Sequence, residues 1–413
     1  MRHASLLYTL AAVLLLPNTA FAAAGHSHGG EAAADACTGP ETVASLNCAL
    51  APTGAFDEQG RLWLAWAFGG HVYVHRSDDR GETFTPPVPV NRIPERVAAD
   101  GENRPKIAVG PEGTVYVSWV KRLAKPYTGD VRFARSTNGG RTFSEPLTVN
   151  DHRDMTSHRF ESFAVNKRGE IFIAWLDKRD LVAAERDGEQ YNGAALYYAV
   201  SRDGGESFGA NRKIADHTCE CCRTAMALDG DGLPVVVWRH IYGANIRDHG
   251  LVRFEDSKTP AEPVRLSHDQ WQIDACPHHG PDISIDAGVW HTVWFNNAPQ
   301  RHGLFYARST DRGERFSTPL PVGNYEAAAS HPAVLGIGER AWLAWKEFDG
   351  ERTQLLVQRS YDGGANWSEP PDVLATTAGR SDHPQLLGHQ DEAFVSWQTA
   401  WEGFHLLPVG APK

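Results

Sequence analysis

The sequence predicts an all-β fold, a β-propeller of seven blades with six as the alternative, each blade made of four antiparallel strands. Two repeated patterns carry this prediction. A tryptophan closes a β-rich stretch at seven places, 51 to 63 residues apart: Trp66, Trp119, Trp175, Trp238, Trp294, Trp345 and Trp397. A second pattern, Ser-x-Asp-x-Gly-x-x-aromatic, occurs five times. Four-stranded units repeated around one axis make a propeller.

A hairpin precedes each tryptophan. Before Trp119, residues 106–109 and 114–119 are rich in β-prone side chains and flank a turn that contains Gly110 and Gly113. A third strand follows most of these hairpins, and the second pattern ends it. The order of strand, turn, strand and third strand supplies most of one blade.

The second pattern is a turn with its own mechanism. Its Asp or Asn oxygen can accept hydrogen bonds from nearby backbone N–H groups, its Gly allows positive φ, and its aromatic ring can pack into the blade. It therefore predicts a pinned turn between the third and fourth strands. The copies are Ser77 to Phe84, Ser136 to Phe143 with Asn138 for Asp, Ser201 to Phe208, Ser309 to Phe316, and Ser360 to Trp367.

These five segments resemble the Asp-box (BNR) repeats of the sialidase superfamily, and the resemblance covers roughly residues 50 to 413. It implies an Asp-box β-propeller, similar to uncharacterised secreted members, with the boxes on the face opposite the active site. It also implies an exo-α-sialidase-like glycosidase that acts on carboxylated sugars. Asp boxes also occur in non-catalytic propellers that bind glycans or proteins, and a fold does not fix a function. A non-catalytic binding propeller is therefore an open alternative.

The first residues predict export. Residues 1–22 are interpreted as a signal peptide, because Arg2 precedes an apolar run and Ala20-Phe21-Ala22 has the small-x-small pattern of a cleavage site. Residues 23–36 are predicted to be a flexible lead that contains histidines, and residues 37–413 a single propeller domain. The apolar run is shorter than the ~20 residues of a membrane-spanning helix. We expect a periplasmic or secreted protein with no membrane span.

The ring must also be closed. The last unit ends after three predicted strands, so the segment around residues 42–50 is expected to supply the missing outer strand. Cys37 and Cys48 flank that segment, and in an oxidising compartment they are expected to form a disulfide that staples the closure.

The net charge of the chain limits the classes of partner that it is expected to bind. The formal charge of −11 over 413 residues argues against a nucleic acid or an anionic membrane surface, since both need a basic footprint. A small-molecule or glycan ligand is expected, and the oligomeric state stays open. An anionic ligand would need a local cationic cluster.

Three arginines form the candidate substrate clamp. Arg104, Arg159 and Arg223 take equivalent positions in the loops that lead into three consecutive inner strands, where planar guanidinium groups can hold a carboxylate. They resemble the arginine clamp of sialidases, although the Phe-Arg-Ile-Pro signature of that family is absent. The resemblance also implies a tyrosine nucleophile activated by a glutamate, and an acid. The candidates are Tyr242 or Tyr325, Glu161 and Asp154.

A group of cysteines and histidines is not explained by the resemblance. Cys219-Glu220-Cys221-Cys222 precedes one inner strand, and Cys276-Pro277-His278-His279 precedes the next. A Cys222 to Cys276 disulfide between neighbouring blades is the first expectation. Sulfur and imidazole ligands would alternatively select copper or zinc, which makes a periplasmic copper or zinc binding protein the third open function. The candidate ligands are Cys219, Cys221, Cys222, Cys276, His278, His279, His331 and His383.

Overall fold

A computed structural model describes residue 37 and residues 42–410. These residues form seven antiparallel sheets, which confirms the seven-bladed propeller and rules out six blades. The predicted signal peptide and the lead at residues 23–36 lie outside the described residues. Among the helices that are described, none is long and apolar enough to cross a membrane.

The blades follow one another along the chain. Blade 1 contains β1 (Leu50–Phe56), β2 (Leu62–Phe68), β3 (His71–Ser77) and β4 (Val88–Pro89); blade 2 contains β5 (Lys106–Val109), β6 (Val115–Arg122), β7 (Gly129–Ser136) and β8 (Leu147–Thr148). Blade 3 contains β9 (His158–Val165), β10 (Ile171–Asp177), β11 (Ala194–Ser201) and β12 (Arg212–Thr218). Blade 4 contains β13 (Ala225–Leu228), β14 (Pro234–Arg239), β15 (His249–Asp256), β16 (Thr259–Pro260) and β17 (Val264–Arg265).

The other three blades complete the ring. Blade 5 contains β18 (Asp282–Asp286), β19 (Val289–Ala298), β20 (Arg301–Ser309) and β21 (Leu320–Val322); blade 6 contains β22 (Ser330–Ile337), β23 (Arg340–Phe348), β24 (Thr353–Ser360) and β25 (Asp372–Thr377). Blade 7 contains β26 (Gln385–His389), β27 (Glu392–Thr399) and β28 (Gly403–Pro408). A short helix, α1 (Arg179–Asp187), joins β10 to β11, and 3-10 turns occupy Leu46–Cys48, Pro111–Gly113 and Tyr325–Ala327.

The first strand of each blade lines the axis. Each of these strands contacts the first strand of the next blade, and β26 contacts β1, so the ring is closed. The repeated tryptophans all lie on the second strand of their blades and are at most 1% exposed. Trp119 packs with Trp63 of blade 1, and Trp238 with Phe172 of blade 3. Each repeat thus completes the core of the blade before it.

The Asp-box segments are turn staples, as their chemistry predicts. In the first copy, Asp79 Oδ1 accepts from the Thr83 N–H at 2.8 Å, and Ser77 Oγ accepts from the Gly81 N–H at 2.7 Å. The boxes follow the third strand of a blade, whereas the loops that lead into the innermost strands precede the first. Because successive strands run antiparallel, the two sets lie on opposite faces of the ring. We call the second set the leading loops and their side of the ring the leading face.

The prediction for the last blade was wrong in one respect. Residues 42–49 form no strand, and the 3-10 turn at Leu46–Cys48 stands where the outer strand was expected. The backbone N–H groups of Cys48 and Ala49 donate to carbonyls within this segment, so they are not available for pairing with β28. Apolar side chains of the segment pack instead against Phe404 and Leu406 of β28. The expected disulfide between Cys37 and Cys48 is confirmed.

Candidate functional site

Among the cavities at the leading loops of the described residues, two adjoin each other near the axis. The larger has a volume of about 630 Å³ and lies beside the axis, over blades 2 and 3. The smaller, of about 170 Å³, lies on the axis between the innermost strands and is lined by Arg104, Arg223, Asp282 and His383 among others. Gly101 and His383 line both cavities, so the two are neighbours.

One buried carboxylate ties the leading loops together. Glu102, in the loop before β5, accepts from the Arg223 N–H at 2.9 Å and from Arg223 Nη1 at 2.7 Å. It also accepts from the Gly280 N–H at 2.9 Å. The Nδ1 atoms of His331 and His383 lie 3.5 and 3.6 Å from its Oε1. The hydrogen bonds of this one side chain join the leading loops of blades 2, 4 and 5, and histidines of blades 6 and 7 lie beside it.

The charge of Glu102 is fixed by these partners. Burial alone would raise its pKa, but the Arg223 guanidinium, His331 and the backbone donors hold the pKa well below the usual range. The carboxylate is therefore ionised at any physiological pH. Gly280 is required at its position, because a Cβ there would lie 2.2 Å from Arg223 Cγ and 2.6 Å from the Arg223 carbonyl oxygen.

Aromatic rings form a column next to Glu102. The ring of His331 stacks on His383 with centroids 3.5 Å apart and on His279 with centroids 4.3 Å apart. His279 in turn stacks on Phe295 at 4.3 Å. Burial lowers the pKa of His279, lowers that of His331 to about 3, and lowers that of His383 strongly. All three imidazoles are neutral at physiological pH.

The column explains how the predicted histidine ligands are arranged. The ligand atoms of Glu102, His331 and His383 lie within 4.8 Å of one another. The planes of His331 and His383 are only 15° apart, however, and imidazole lone pairs lie in the ring plane. Nearly parallel planes do not direct two lone pairs at one metal ion. The structure brings the three histidines together, as the sequence predicts, but as a stack.

The chain is strained where two of the leading loops meet their strands. His331 and Phe160 have φ angles of 52° and 59°, in the left-handed region, and the pairing of β22 with β23 and of β9 with β10 shifts register there. Such a conformation costs about 1–3 kcal/mol for a non-glycine residue and is held by its surroundings. Both bulges lie at the rim of the large cavity.

The large cavity is cationic. Its lining includes Arg96, Arg122, Lys125, Tyr127 and Arg159, with Asp100, Glu102 and His278. Both acids have partners already, since Asp100 pairs with Arg122 at 3.0 Å and Glu102 with Arg223 at 2.7 Å. Within the described part of the chain, the buried Arg159 Nε has no hydrogen-bond partner. Burial also lowers the pKa of Arg159. An anion bound in the cavity would offset the unfavourable free energy of burying this charged group.

The three predicted clamp arginines do not surround one cavity. Arg104 forms a buried ion pair with Asp382, and Arg223 is held by Glu102 and by the Pro332 carbonyl oxygen at 3.1 Å. Both line the axial cavity, whereas Arg159 lines the large one. Equivalent positions in the repeat put all three at the start of inner strands, but Asp382 and Glu102, which are acids from other blades, bind two of them in ion pairs within the ring.

The predicted catalytic residues are not assembled into one site. Glu161 is fully buried and contacts Ser118 at 3.2 Å and Lys106 at 3.5 Å, and burial raises its pKa. Asp154 is 84% exposed in its side chain. No hydrogen bond or ion pair joins any two members of the candidate set within residues 42–410.

The two candidate tyrosines lie apart from these acids. Tyr242 packs against His240 and under the guanidinium of Arg265, 4.5 Å from its ring, and burial raises its pKa to about 12. Tyr325 donates to Asn297 Oδ1 at 2.6 Å. A tyrosine–glutamate pair of the sialidase type is therefore not formed by these residues, because Glu161 lies in β9 and the tyrosines lie in loops of other blades, where each side chain has other partners.

The cysteines lie together without forming disulfides. Cys219, Cys221 and Cys222 are buried, Cys276 is exposed, and all four are free. The expected bond between Cys222 and Cys276 is absent, and Cys221 is the residue that lies near Cys276 and His278. Hydrogen bonds donated by the thiols of Cys221 and Cys222 lower the pKa of Cys219 strongly. A hydrogen bond donated by Cys221 lowers the pKa of Cys276 to about 7.

Comparison with solved structures agrees with the fold. A polysaccharide lyase, an ulvan lyase bound to -[GlcA(1-4)Rha3S]-, matches with a TM-score of 0.56 at 12% identity over 86% of this chain and 91% of its own. The polysaccharide lyase Uly1 matches with a TM-score of 0.51 at 8% identity over 86% and 87%. A Hadza microbial sialidase matches with a TM-score of 0.48 at 14% identity over 85% and 73%.

The chain is a seven-bladed propeller with Asp-box turns, and the two polysaccharide lyases share its fold. At such identities these likenesses show the fold alone. No protein-family profile and no curated protein matches the chain.

Sequence reasoning missed the residue at the centre of the site. Glu102 stands two positions before Arg104 in a leading loop, so its position gave a signal. The direction of the Glu102 side chain could not be predicted, because the sequence of a loop does not show which side chains turn toward the axis. Tyr127 of the large cavity lies in the connection from β6 to β7, which also opens on the leading face, and Arg122 is the last residue of β6.

Proposed function

We propose that the protein binds a carboxylated glycan in the large cavity of the leading face. The observation that carries this is Arg159, a half-buried guanidinium that lines the cavity with its Nε unpartnered among residues 42–410. The guanidinium lies 4.7 Å from the centre of the Phe160 ring, but this contact gives Nε no acceptor, and a planar carboxylate fits the guanidinium fork. A bound carboxylate would supply the missing partner.

The rest of the cavity supports a sugar as the carrier of that carboxylate. Tyr127 is 81% exposed and offers an aromatic face to a sugar ring. The volume of about 630 Å³ lies within the range of small-molecule sites. Lys125 and Arg96 add positive charge around it. The ulvan lyase that shares the fold is bound to a glucuronate-containing oligosaccharide, which supports uronates as the first ligands to test.

Cleavage of the glycan is the finer form of the proposal. An exo-glycosidase that removes a carboxylated sugar would need acid and base groups at this cavity, and the titratable groups of its lining include Asp100, His278 and Glu102. A non-catalytic binding propeller needs only the cavity. Release of new reducing ends distinguishes the two.

The test compares oligosaccharides of equal length with and without uronate carboxylates, titrated into the protein by calorimetry. Arg159→Lys removes the planar fork and should weaken uronate binding about tenfold or more, because a hydrogen bond to a charged group contributes about 1.5–3 kcal/mol. Arg135→Lys is the matched control, since Arg135 forms its ion pair with Glu206 beside an Asp-box turn on the other face. Equal binding of charged and neutral oligosaccharides, or binding of neither, would refute the proposal.

A further inference from the structure

The buried sulfurs have the spacing of metal ligands. Sγ of Cys219 lies 3.7 Å from that of Cys221 and 3.8 Å from that of Cys222. A disulfide needs about 2.05 Å between sulfurs. Two sulfurs bound to one metal ion at about 2.3 Å lie about 3.8 to 4.0 Å apart when the angle between the bonds is between tetrahedral and trigonal. The observed distances match this second geometry.

The donors fall into two sets of three. The sulfurs of Cys219, Cys221 and Cys222 lie within 4.8 Å of one another, and so do the ligand atoms of Cys221, Cys276 and His278. Cys221 belongs to both sets. A thiolate has more than one lone pair, so a shared sulfur can bridge two ions.

We propose that these five residues bind copper(I), with the Cys221 thiolate bridging two ions. Soft thiolate ligands select Cu(I), Zn(II) or iron–sulfur clusters. A structural zinc site takes four ligands, and each set here offers three. Three-donor sets linked through sulfur suit Cu(I), which accepts fewer ligands than zinc. This site lies outside the glycan proposal and does not depend on it.

The surroundings suit a cluster of thiolates. Arg247 Nη1 lies 3.2 Å from Cys219 Sγ, and Arg247 Nε donates to Asn245 Oδ1 at 2.8 Å, which fixes the guanidinium in place. Its charge offsets that of the thiolates, in the manner of the outer partners that tune metal sites. The loop itself is anchored, because the Cys219 N–H donates to the Arg239 carbonyl oxygen at 2.8 Å.

The cluster also has a route to solvent. Cys219, Cys221 and Cys222 are buried, whereas Cys276 and His278 are exposed, and His278 lines the large cavity. An ion can reach the outer set first and the inner set through Cys221. Because the two sets come from the leading loops of blades 4 and 5, bound copper would crosslink these blades, and each thiol that binds would release its proton to solvent.

The test is an anaerobic titration of the full chain with Cu(I) in competition with a coloured Cu(I) chelator. We expect two ions per chain and an ultraviolet absorption band from thiolate-to-copper charge transfer. Cys276→Ser should lower the stoichiometry to one, since the inner set stays complete. Cys221→Ser leaves two donors in each set, so it should abolish the bridged pair and should weaken both Cu(I) binding and the absorption band. A Cys37→Ser/Cys48→Ser double variant removes two sulfurs elsewhere and should still bind two ions.

Three results would overturn the proposal. The first is unchanged Cu(I) stoichiometry in both Cys276→Ser and Cys221→Ser. The second is a disulfide among the four cysteines, found by alkylation and mass spectrometry of anaerobically purified protein. The third is tight binding of Zn(II) with none of Cu(I). Because Cys276 is exposed, its variant should keep the thermal melting curve of the parent protein, so its stoichiometry can be interpreted even if Cys221→Ser fails to fold.

Discussion

Replacing Glu102 by Gln should destabilise the ring strongly. The amide keeps the shape of the side chain but has only one oxygen, and Glu102 uses two. Oε1 accepts from the Arg223 guanidinium, and Oε2 accepts from two backbone N–H groups. Whichever way the amide turns, its NH₂ faces one of these donors. Arg223, which is 19% exposed in its side chain, is left without its carboxylate.

The magnitude follows from breaking a buried ion pair by removing one partner, which costs about 3–5 kcal/mol. Urea unfolding followed by tryptophan fluorescence would measure it, as a lower midpoint at unchanged slope. Glu145→Gln is the control, because Glu145 forms an exposed ion pair with Arg92 at 3.7 Å and should change stability by about 0.5 kcal/mol or less. A loss of less than about 1 kcal/mol for Glu102→Gln would refute the view that this carboxylate holds the leading loops together.

Three further predictions concern other parts of the ring. Burial lowers the pKa of His331 to about 3, whereas a histidine in the unfolded chain has a pKa of about 6.5. Between pH 3 and about 6.5 the unfolded chain therefore binds more protons than the folded chain, and the free energy of unfolding should fall as the pH drops below about 6.5. His331→Asn should therefore lose less stability than the parent between pH 7.5 and 5.5, by about 1.4 kcal/mol, and an identical loss in both proteins would contradict this. Asp362→Ala removes the acceptor of the Asn366 N–H at 2.9 Å and should lower the melting temperature while uronate binding stays intact; lost binding in a stable variant would mean that the faces are reversed. Gly280→Ala should cost about 1–3 kcal/mol from overpacking against Arg223, whereas Gly230→Ala, with no atom within 4 Å of its Cβ position, should not; equal melting curves would show that the contact relaxes freely.

The fold was predictable because its signals are local and repeated. Trp119 and its equivalents mark the same strand in every blade, and the Ser77 to Phe84 turn needs only its own residues. The prediction of an outer strand before Leu50 was wrong, because a short segment that contains a turn can pack on a strand without pairing to it.

The site was predictable only in its location. The leading loops do carry the cavities, the stacked histidines and the sulfurs. The partners of each side chain depend on loops from other blades, so the pairing of Arg104 with Asp382 and of Arg223 with Glu102 left no trace in sequence spacing. Neighbouring residues of a loop can point in opposite directions, which is why Cys221 and not Cys222 lies near Cys276.

The continuity of each blade has a consequence for how such a ring can change. Every described sheet is built from one uninterrupted stretch of chain, so no strand is exchanged between the first blade and the last. A circular permutant cut between any two blades would keep all sheets whole, and duplication or loss of a blade would be a simple change at the level of the gene. Glu102 opposes that freedom, because its hydrogen bonds to blades 4 and 5 and its neighbours from blades 6 and 7 fit a ring of one size. A change in the number of blades would therefore also require new partners for Arg223 and for the Gly280 N–H.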